Sequence, residues 1–237
     1  MVDFHTHILP GIDDGSASLE ISLQMLKAEK EQGVHGVVLT PHFYPQRDLL
    51  EPFLNKRAAA FAQLQKVAEQ EDLPQLQLGA EVYYYPGMSD SDVLKQLTVA
   101  DTGYILVEMP FTAWTKDMYR ELQGIYEKQG LIPIVAHIDR YMHPWRTRGI
   151  PERLQDLPVL VQANASFFTG RFTASLARKL LKEKKVHILG SDCHDMTHRP
   201  PCLNKAWQTL EPAAVQQIEE IEKTIFSKRD DPFTGES

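Results

Sequence analysis

Two imidazoles stand at the head of the sequence, in Asp3-Phe4-His5-Thr6-His7. At i and i+2 of an extended segment they project from one face, close enough to share a metal ion. Alone, such a pair is more often an ordinary strand with two polar residues. Company changes its weight: Asp14, His42, Glu81, Glu108, His137, Asp192 and His194 each lie at or just past the end of an apolar run. Imidazole and carboxylate donors delivered by separate strand ends are what a polynuclear metal centre needs. Taken singly, Asp14 or Glu108 reads as a helix cap or a solvated carboxylate, and His42 or His137 as a hydrogen-bonded core histidine. Nine such residues at consecutive strand ends point instead to one shared site.

Those ends need elements to hold them. A first strand at 2–5 leads into a turn-rich loop, Leu9 to Gly15, that carries Asp13 and Asp14. Ser16 or Ser18 caps a helix over 19–32, with Gly33 as its stop. Further strands are expected at 36–40, 76–81, 104–108, 132–136, 159–163 and 186–190. Helices are expected at 50–71, 90–97, 116–129, 152–157 and 173–184, with a closing helical region at 206–223. Seven near-continuous apolar strands alternating with helices suit an α/β fold with a parallel sheet covered on both faces. A closed TIM-like barrel is favoured over an open doubly wound sheet, because only a barrel brings every strand C-terminus to one mouth.

The bulk numbers narrow the classes of function. A chain of 237 residues that is 43 % hydrophobic buries a substantial core, and nothing in it resembles a linker. One domain over 1–226 is expected, followed by a polar, loosely held tail over 227–237. A net charge of -7 without a basic block argues against nucleic acid or an anionic membrane as the main partner. Cys193 and Cys202 make no disulfide framework, no signal-like segment precedes Asp3, and no apolar run reaches the roughly 18 residues that span a bilayer. A reduced, cytoplasmic protein is expected, and no Walker-type loop supports nucleotide binding.

His5-x-His7, Asp13-Asp14-Gly15, Thr40-Pro41-His42, Gly79-Ala80-Glu81, Glu108, Ala136-His137-Ile138-Asp139-Arg140 and Ser191-Asp192-x-His194 together resemble the motifs of the polymerase-and-histidinol-phosphatase (PHP) superfamily. Within it, Arg199-Pro200-Pro201 tilts the likeness toward the capsule-type protein-tyrosine phosphatases, which act on bacterial tyrosine autokinases controlling exopolysaccharide synthesis. The resemblance implies a distorted (β/α)7 barrel and three metal ions. One ion would be held by His5, His7, Glu81 and Asp192, a second by Glu81, Glu108 and His137, and a third by Asp14, His42 and His194. Manganese, iron, zinc or magnesium all suit such donors. The implied substrate is the phosphotyrosine-bearing tail of an autokinase; the alternatives are a histidinol-phosphate-type small-molecule phosphatase and a nuclease or proofreading module.

Hydrolysis of a phosphate ester at neutral pH needs an activated water and cations against the charge on the transferring group, both of which clustered metals supply. Arg140 and Arg199 would grip the non-bridging oxygens through their guanidinium forks, although either one standing alone reads rather as a surface ion pair. Asp139 or a metal-bound water is the candidate acid for the departing phenolate. Cys193 and Arg199 happen to fit C-x5-R, the spacing of thiolate phosphatases. The intervening His194 to His198 lacks the small residues an anion-binding loop prefers, and Asp192 beside the thiol raises its pKa. His35 and His187 are expected before strands on the far rim, with His143 and His198 in loops. Tyr83-Tyr84-Tyr85 reads equally as an aromatic wall at the mouth and as core packing.

Overall fold

Apolar runs separated by helices pair in parallel, and every ladder is parallel in the computed structural model, which describes residues 1–142, 149–227 and 233. The first half runs β1 (Val2–Thr6), α1 (Leu19–Glu31), β2 (Gly36–Leu39), β3 (His42–Phe43), α2 (Leu50–Gln70), β4 (Gln75–Leu78), β5 (Glu81–Tyr83) and β6 (Tyr104–Glu108). The second runs α3 (Lys116–Gln129), β7 (Ile132–Val135), α4 (Ile150–Leu154), β8 (Leu160–Asn164), α5 (Ala165–Thr169), α6 (Ala174–Lys182), β9 (Ile188–Gly190), α7 (Leu203–Trp207) and α8 (Pro212–Ser227).

The ladders form a sheet β4-β2-β1 and a sheet β3-β5-β6-β7-β8-β9. They meet where β1 lies along the end of β9: Thr6 bridges Cys193, His7 N donates to Cys193 O at 2.9 Å, and Asp192 N donates to His5 O at 2.8 Å. Only Thr40 and Pro41 separate β2 from β3, and only Gly79 and Ala80 separate β4 from β5. Pro41 has no N–H for a ladder, so the chain bends there and resumes pairing one step on. The result is a mixed α/β fold around a curled parallel sheet whose strand C-termini share one edge.

Two apolar layers hold it. Val2, Phe4, Val38, Leu106, Ile132, Ile134, Leu160 and Ile188 fill one face of the curl and are closed from below by Ile225 of α8. Phe4 stacks on Phe226 at 5.4 Å. The larger layer lies between the other face and the helices, where Met25 and Leu26 of α1 are fully buried, each contributing about 1.5–3 kcal/mol. Local signals set the helix ends. Ser18 caps α1 by accepting from Ile21 N; Thr115 does the same for α3, which stops at left-handed Gly130 (φ 65°).

Most expected elements are present within a residue or two, and the differences have local causes. The strand expected at 76–81 is two strands, broken at Gly79-Ala80, and the helix expected at 90–97 is a pair of 3₁₀ turns, Met88–Asp90 and Leu94–Gln96. The closing region is two helices, because Pro212 starts α8 rather than continuing α7. The five-residue α5 was unmarked by any apolar period. His35 and His187 precede β2 and β9, as expected. His143 and nearly all of the expected tail lie outside the described residues; of the tail, Ser227 ends α8 and Phe233 has its ring 6.1 Å from that of Tyr126.

Candidate metal centre

All nine expected donors meet at the C-terminal edge of the sheet. His5 and His7 come from β1, Asp14 from the loop after it, and His42 and Glu81 from the first residues of β3 and β5. Glu108 ends β6, His137 follows β7, and Asp192 and His194 follow β9. His7, Asp14, His42 and His194 place one ligand atom each within 4.8 Å of one another; so do His5, His7 and Glu81, and His42, Glu81 and Glu108. His137 Nε2 lies 3.0 Å from Glu81 Oε1 and 3.4 Å from Glu108 Oε1, and Asp192 Oδ1 lies 3.4 Å from His7 Nε2 and 3.6 Å from His5 Nε2. His7 and His42 thus each face two groups, where the resemblance assigns each histidine to a single ion.

Several of these atoms crowd one another. His5 Nε2 and His7 Nε2 face each other at 3.1 Å. His42 Nδ1 sits 2.9 Å from Glu81 Oε2, yet neither atom has a hydrogen bond of good geometry, and both are buried. Buried polar atoms left unpaired are costly, and donors converging on a common centre with lone pairs unclaimed suit cations between them. The outer ring nitrogens are meanwhile occupied: His5 Nδ1 bonds Gln162 Oε1 (3.2 Å), His7 Nδ1 bonds Asp13 Oδ2 (2.7 Å) and His194 Nδ1 bonds Asp192 O (3.0 Å). Such partners fix the tautomer that leaves Nε2 free for a metal. His137 and Asp192 hold left-handed backbones (φ 34° and 56°), an unusual conformation that clusters at functional sites.

The electrostatics reflect acids and imidazoles packed against one another. Burial disfavours a charged His7, but hydrogen bonds to Asp13, Asp192 and Glu81 outweigh it and hold its pKa well above the usual range. For His137, burial is likewise overcome by Glu108 and Glu81, and the pKa rises to about 9. Burial and the positive charges of His7 and Arg199 push His194 down to about 4. Asp13 and Asp192, although buried, are held below the carboxylate range by their histidine partners, Asp13 at about 2. A cation bound at His7 or His137 would have to displace the proton these imidazoles hold.

Arg140 and Arg199 stand at the rim and both reach Asp192 Oδ2 at 2.5 Å. Asp139 turns toward β8, its Oδ1 accepting from Asn164 N at 2.9 Å, and burial lifts its carboxyl above the usual value. Cys193 points away from the donors: it is fully buried, its Sγ 4.0 Å from Glu29 Oε1, and burial followed by Glu29 and Asp3 drives its pKa well up. Arg199 faces His194 and Asp192, so no thiolate phosphatase loop exists here. His198 is exposed beside Thr197. Of the tyrosine run, Tyr84 packs in the core, Tyr85 packs against it, and only Tyr83 reaches the site's surroundings, its ring 5.6 Å from Tyr44.

Reading the sequence alone passed over the residues that brace the donors. Gln162 Oε1 accepts from His137 N at 2.6 Å as well as from His5, and Gln162 Nε2 donates to Asn164 Oδ1. Asn164 Nδ2 donates to Asp192 Oδ2 at 3.1 Å. Gln162-x-Asn164 repeats on β8 the i, i+2 polar pattern that drew attention to His5-x-His7. Asp13 carries His7 and His42 N together, and Asp3 Oδ1 accepts from His5 N and Ser191 N where the register of β1 against β2 shifts.

The chain is 31 % identical over 226 residues to the tyrosine-protein phosphatase YwqE of Bacillus subtilis (strain 168), covering 89 % of this chain and 84 % of that one. The solved structures of YwqE from B. subtilis and CpsB from Streptococcus pneumoniae, described as unique metal-dependent tyrosine phosphatases, match with a TM-score of 0.82 at 23 % identity over 97 % of this chain and 96 % of that one. A Lactococcus lactis histidinol phosphate phosphatase solved with zinc, L-histidinol and phosphate shares the fold more distantly, with a TM-score of 0.59 at 15 % identity over 92 % of each chain. The profile of the family described as "Capsular polysaccharide synthesis, CpsB/CapC" covers residues 1–229, and the chain therefore belongs to the CpsB/CapC family.

Proposed function

We propose that this chain is a metal-dependent protein-tyrosine phosphatase whose substrate is the phosphotyrosine-bearing tail of an autokinase in capsule or exopolysaccharide synthesis. The observation that carries it is the convergence of His5, His7, Asp14, His42, Glu81, Glu108, His137, Asp192 and His194 on one edge, beneath two guanidinium groups. These nine residues would hold up to three ions, manganese first, with iron, zinc or magnesium as alternatives. Bound there, the ions lower the pKa of water to furnish a nucleophile near neutral pH and neutralise charge on the phosphoryl oxygens.

The chain's own residues supply the rest. Asp13 and Gln162 hold the imidazoles of His7 and His5 in one tautomer. Arg140 and Arg199, which share Asp192 in the free protein, turn their forks onto the non-bridging oxygens and keep the ester in line. Asp139, whose buried carboxyl keeps a proton to higher pH than usual, is the candidate donor to the leaving phenolate; phenol, with a pKa of about 10, needs only modest help. The same reading counts β2 with β3 and β4 with β5 as single bent strands, which makes the architecture a distorted seven-stranded barrel. The proposed place of action is the cytoplasm; no helix among the described residues is long and apolar enough to cross a membrane.

The test pairs elemental analysis of the purified protein with turnover before and after chelation. The reading expects bound transition metal, hydrolysis of a phosphotyrosine peptide, its loss on chelation and its return with manganese. Turnover of histidinol phosphate alone would move the protein to the small-molecule phosphatases, and metal-dependent exonuclease activity would move it to the nucleases.

A further inference from the structure

The loop after β6 carries an aromatic ring that core packing does not account for. Phe111 is 47 % exposed although its loop is tightly held. The Tyr141 hydroxyl accepts from Met109 N at 2.9 Å and donates to Met109 O at 2.7 Å, and Trp114 Nε1 donates to Pro110 O at 3.2 Å. The Phe111 ring lies 5.7 Å from the rings of His137 and Tyr141, with the Arg140 guanidinium 5.6 Å away. A fixed loop thus keeps an apolar ring half in water beside a metal-site histidine and a candidate phosphate-binding arginine. Another ring borders the same cluster: Tyr44 lies tilted 5.0 Å from His42, and Glu108 is within 4 Å of both His42 and His137.

We propose that Phe111 is the specificity-determining residue of this site, the surface on which the phenyl ring of an aryl phosphate ester rests while its phosphoryl group is held beside Arg140. The inference rests on the phosphatase reading and deepens it. An ester whose phosphorus is gripped by Arg140 carries its leaving group past the ring stacked on that arginine. Offset or edge-on contact between two aromatic rings favours an aryl ester over an alkyl ester by about three- to tenfold. Preorganisation raises the return, since the ring loses no freedom when substrate arrives.

The experiment compares wild type with Phe111→Leu and Phe111→Ala, both manganese-loaded. Substrates are a phosphotyrosine peptide and the same peptide bearing phosphoserine, and the readout is the ratio of their kcat/KM values. Calorimetric affinities for phenylphosphonate and methylphosphonate supply a second ratio that needs no turnover. The inference expects both ratios to fall about three- to tenfold in both variants, Phe111→Leu distinguishing ring contact from mere apolar cover. Ratios that stay at the wild-type value, or equal losses on both esters, overturn it and make Phe111 only a support for Arg140. A wild type that hydrolyses both esters without aryl preference overturns the inference while leaving metal-dependent phosphatase activity standing. A wild type that hydrolyses neither removes the phosphatase reading itself.

Discussion

Replacing Gln162 by Met tests whether the donors are braced from behind or merely crowded together. Met is close to Gln in volume, so no cavity forms, and the side chain is fully buried. Its Oε1 takes two hydrogen bonds, from His137 N at 2.6 Å and from His5 Nδ1 at 3.2 Å. Both donors lie in fully buried residues, and a buried donor left without an acceptor costs about 1–3 kcal/mol. Two such donors give roughly 2–6 kcal/mol, less the relief of no longer burying an amide, so a loss of about 3 kcal/mol is expected. Urea unfolding of the metal-free protein measures it as a lowered midpoint at unchanged slope. A second effect falls on the metal. Freed from Gln162, the His5 ring adopts either tautomer, and divalent-ion affinity drops by about one to two orders of magnitude, read by calorimetric titration. Gln162→Glu keeps an acceptor and should lie between wild type and Gln162→Met. A Met variant within about 0.5 kcal/mol of wild type that binds metal equally well would refute the bracing role.

Three further outcomes follow from the geometry. Cys193→Ala is expected to keep turnover within about twofold, because the thiol is buried beside Glu29, whereas His7→Ala abolishes it; a dead Cys193 variant would reverse the choice of mechanism. Gly15→Ala drives a Cβ into the His7 carbonyl oxygen and the His7 Cβ, so it should destabilise the fold by about 2 kcal/mol in urea and weaken metal binding with it. Burial lowers the His187 pKa from 6.5 to about 4, so the unfolded chain binds the extra proton first. Stability from this residue is complete above pH 6.5 and disappears as pH falls toward 4, by about 3 kcal/mol at most; His187→Asn should flatten that part of the pH profile of unfolding, and an unchanged profile would contradict the assignment.

The sequence carried the donors because their side chains announce themselves at strand ends. His5 and His7 are two apart in an apolar run, and Glu108 and His137 each end one. The spacing also gave six of the strands to within two residues. It failed where the backbone rather than the side-chain pattern decides. Gly79-Ala80 breaks an apolar run without a polar residue to mark it, and Pro41 bends the chain inside what reads as one strand and its exit. The bracing residues were missed for another reason. A glutamine such as Gln162 in a buried strand looks like an isolated polar residue until the two donors it serves are brought to it, and those lie 157 and 25 residues away in sequence. Phe111 gave no signal at all, because the sequence does not distinguish an aromatic that is buried from one that a Tyr141–Met109 clasp holds outward.

The pairing of β1 with the segment after β9 sets an order on synthesis. The histidines made first are completed by an aspartate and a histidine made almost two hundred residues later, and Phe4 finds Phe226 later still. During elongation the early strand leaves the ribosome before its later partners exist, so assembly of the full donor cluster comes late in synthesis. A polypeptide interrupted before Asp192 would emerge with the donor cluster incomplete.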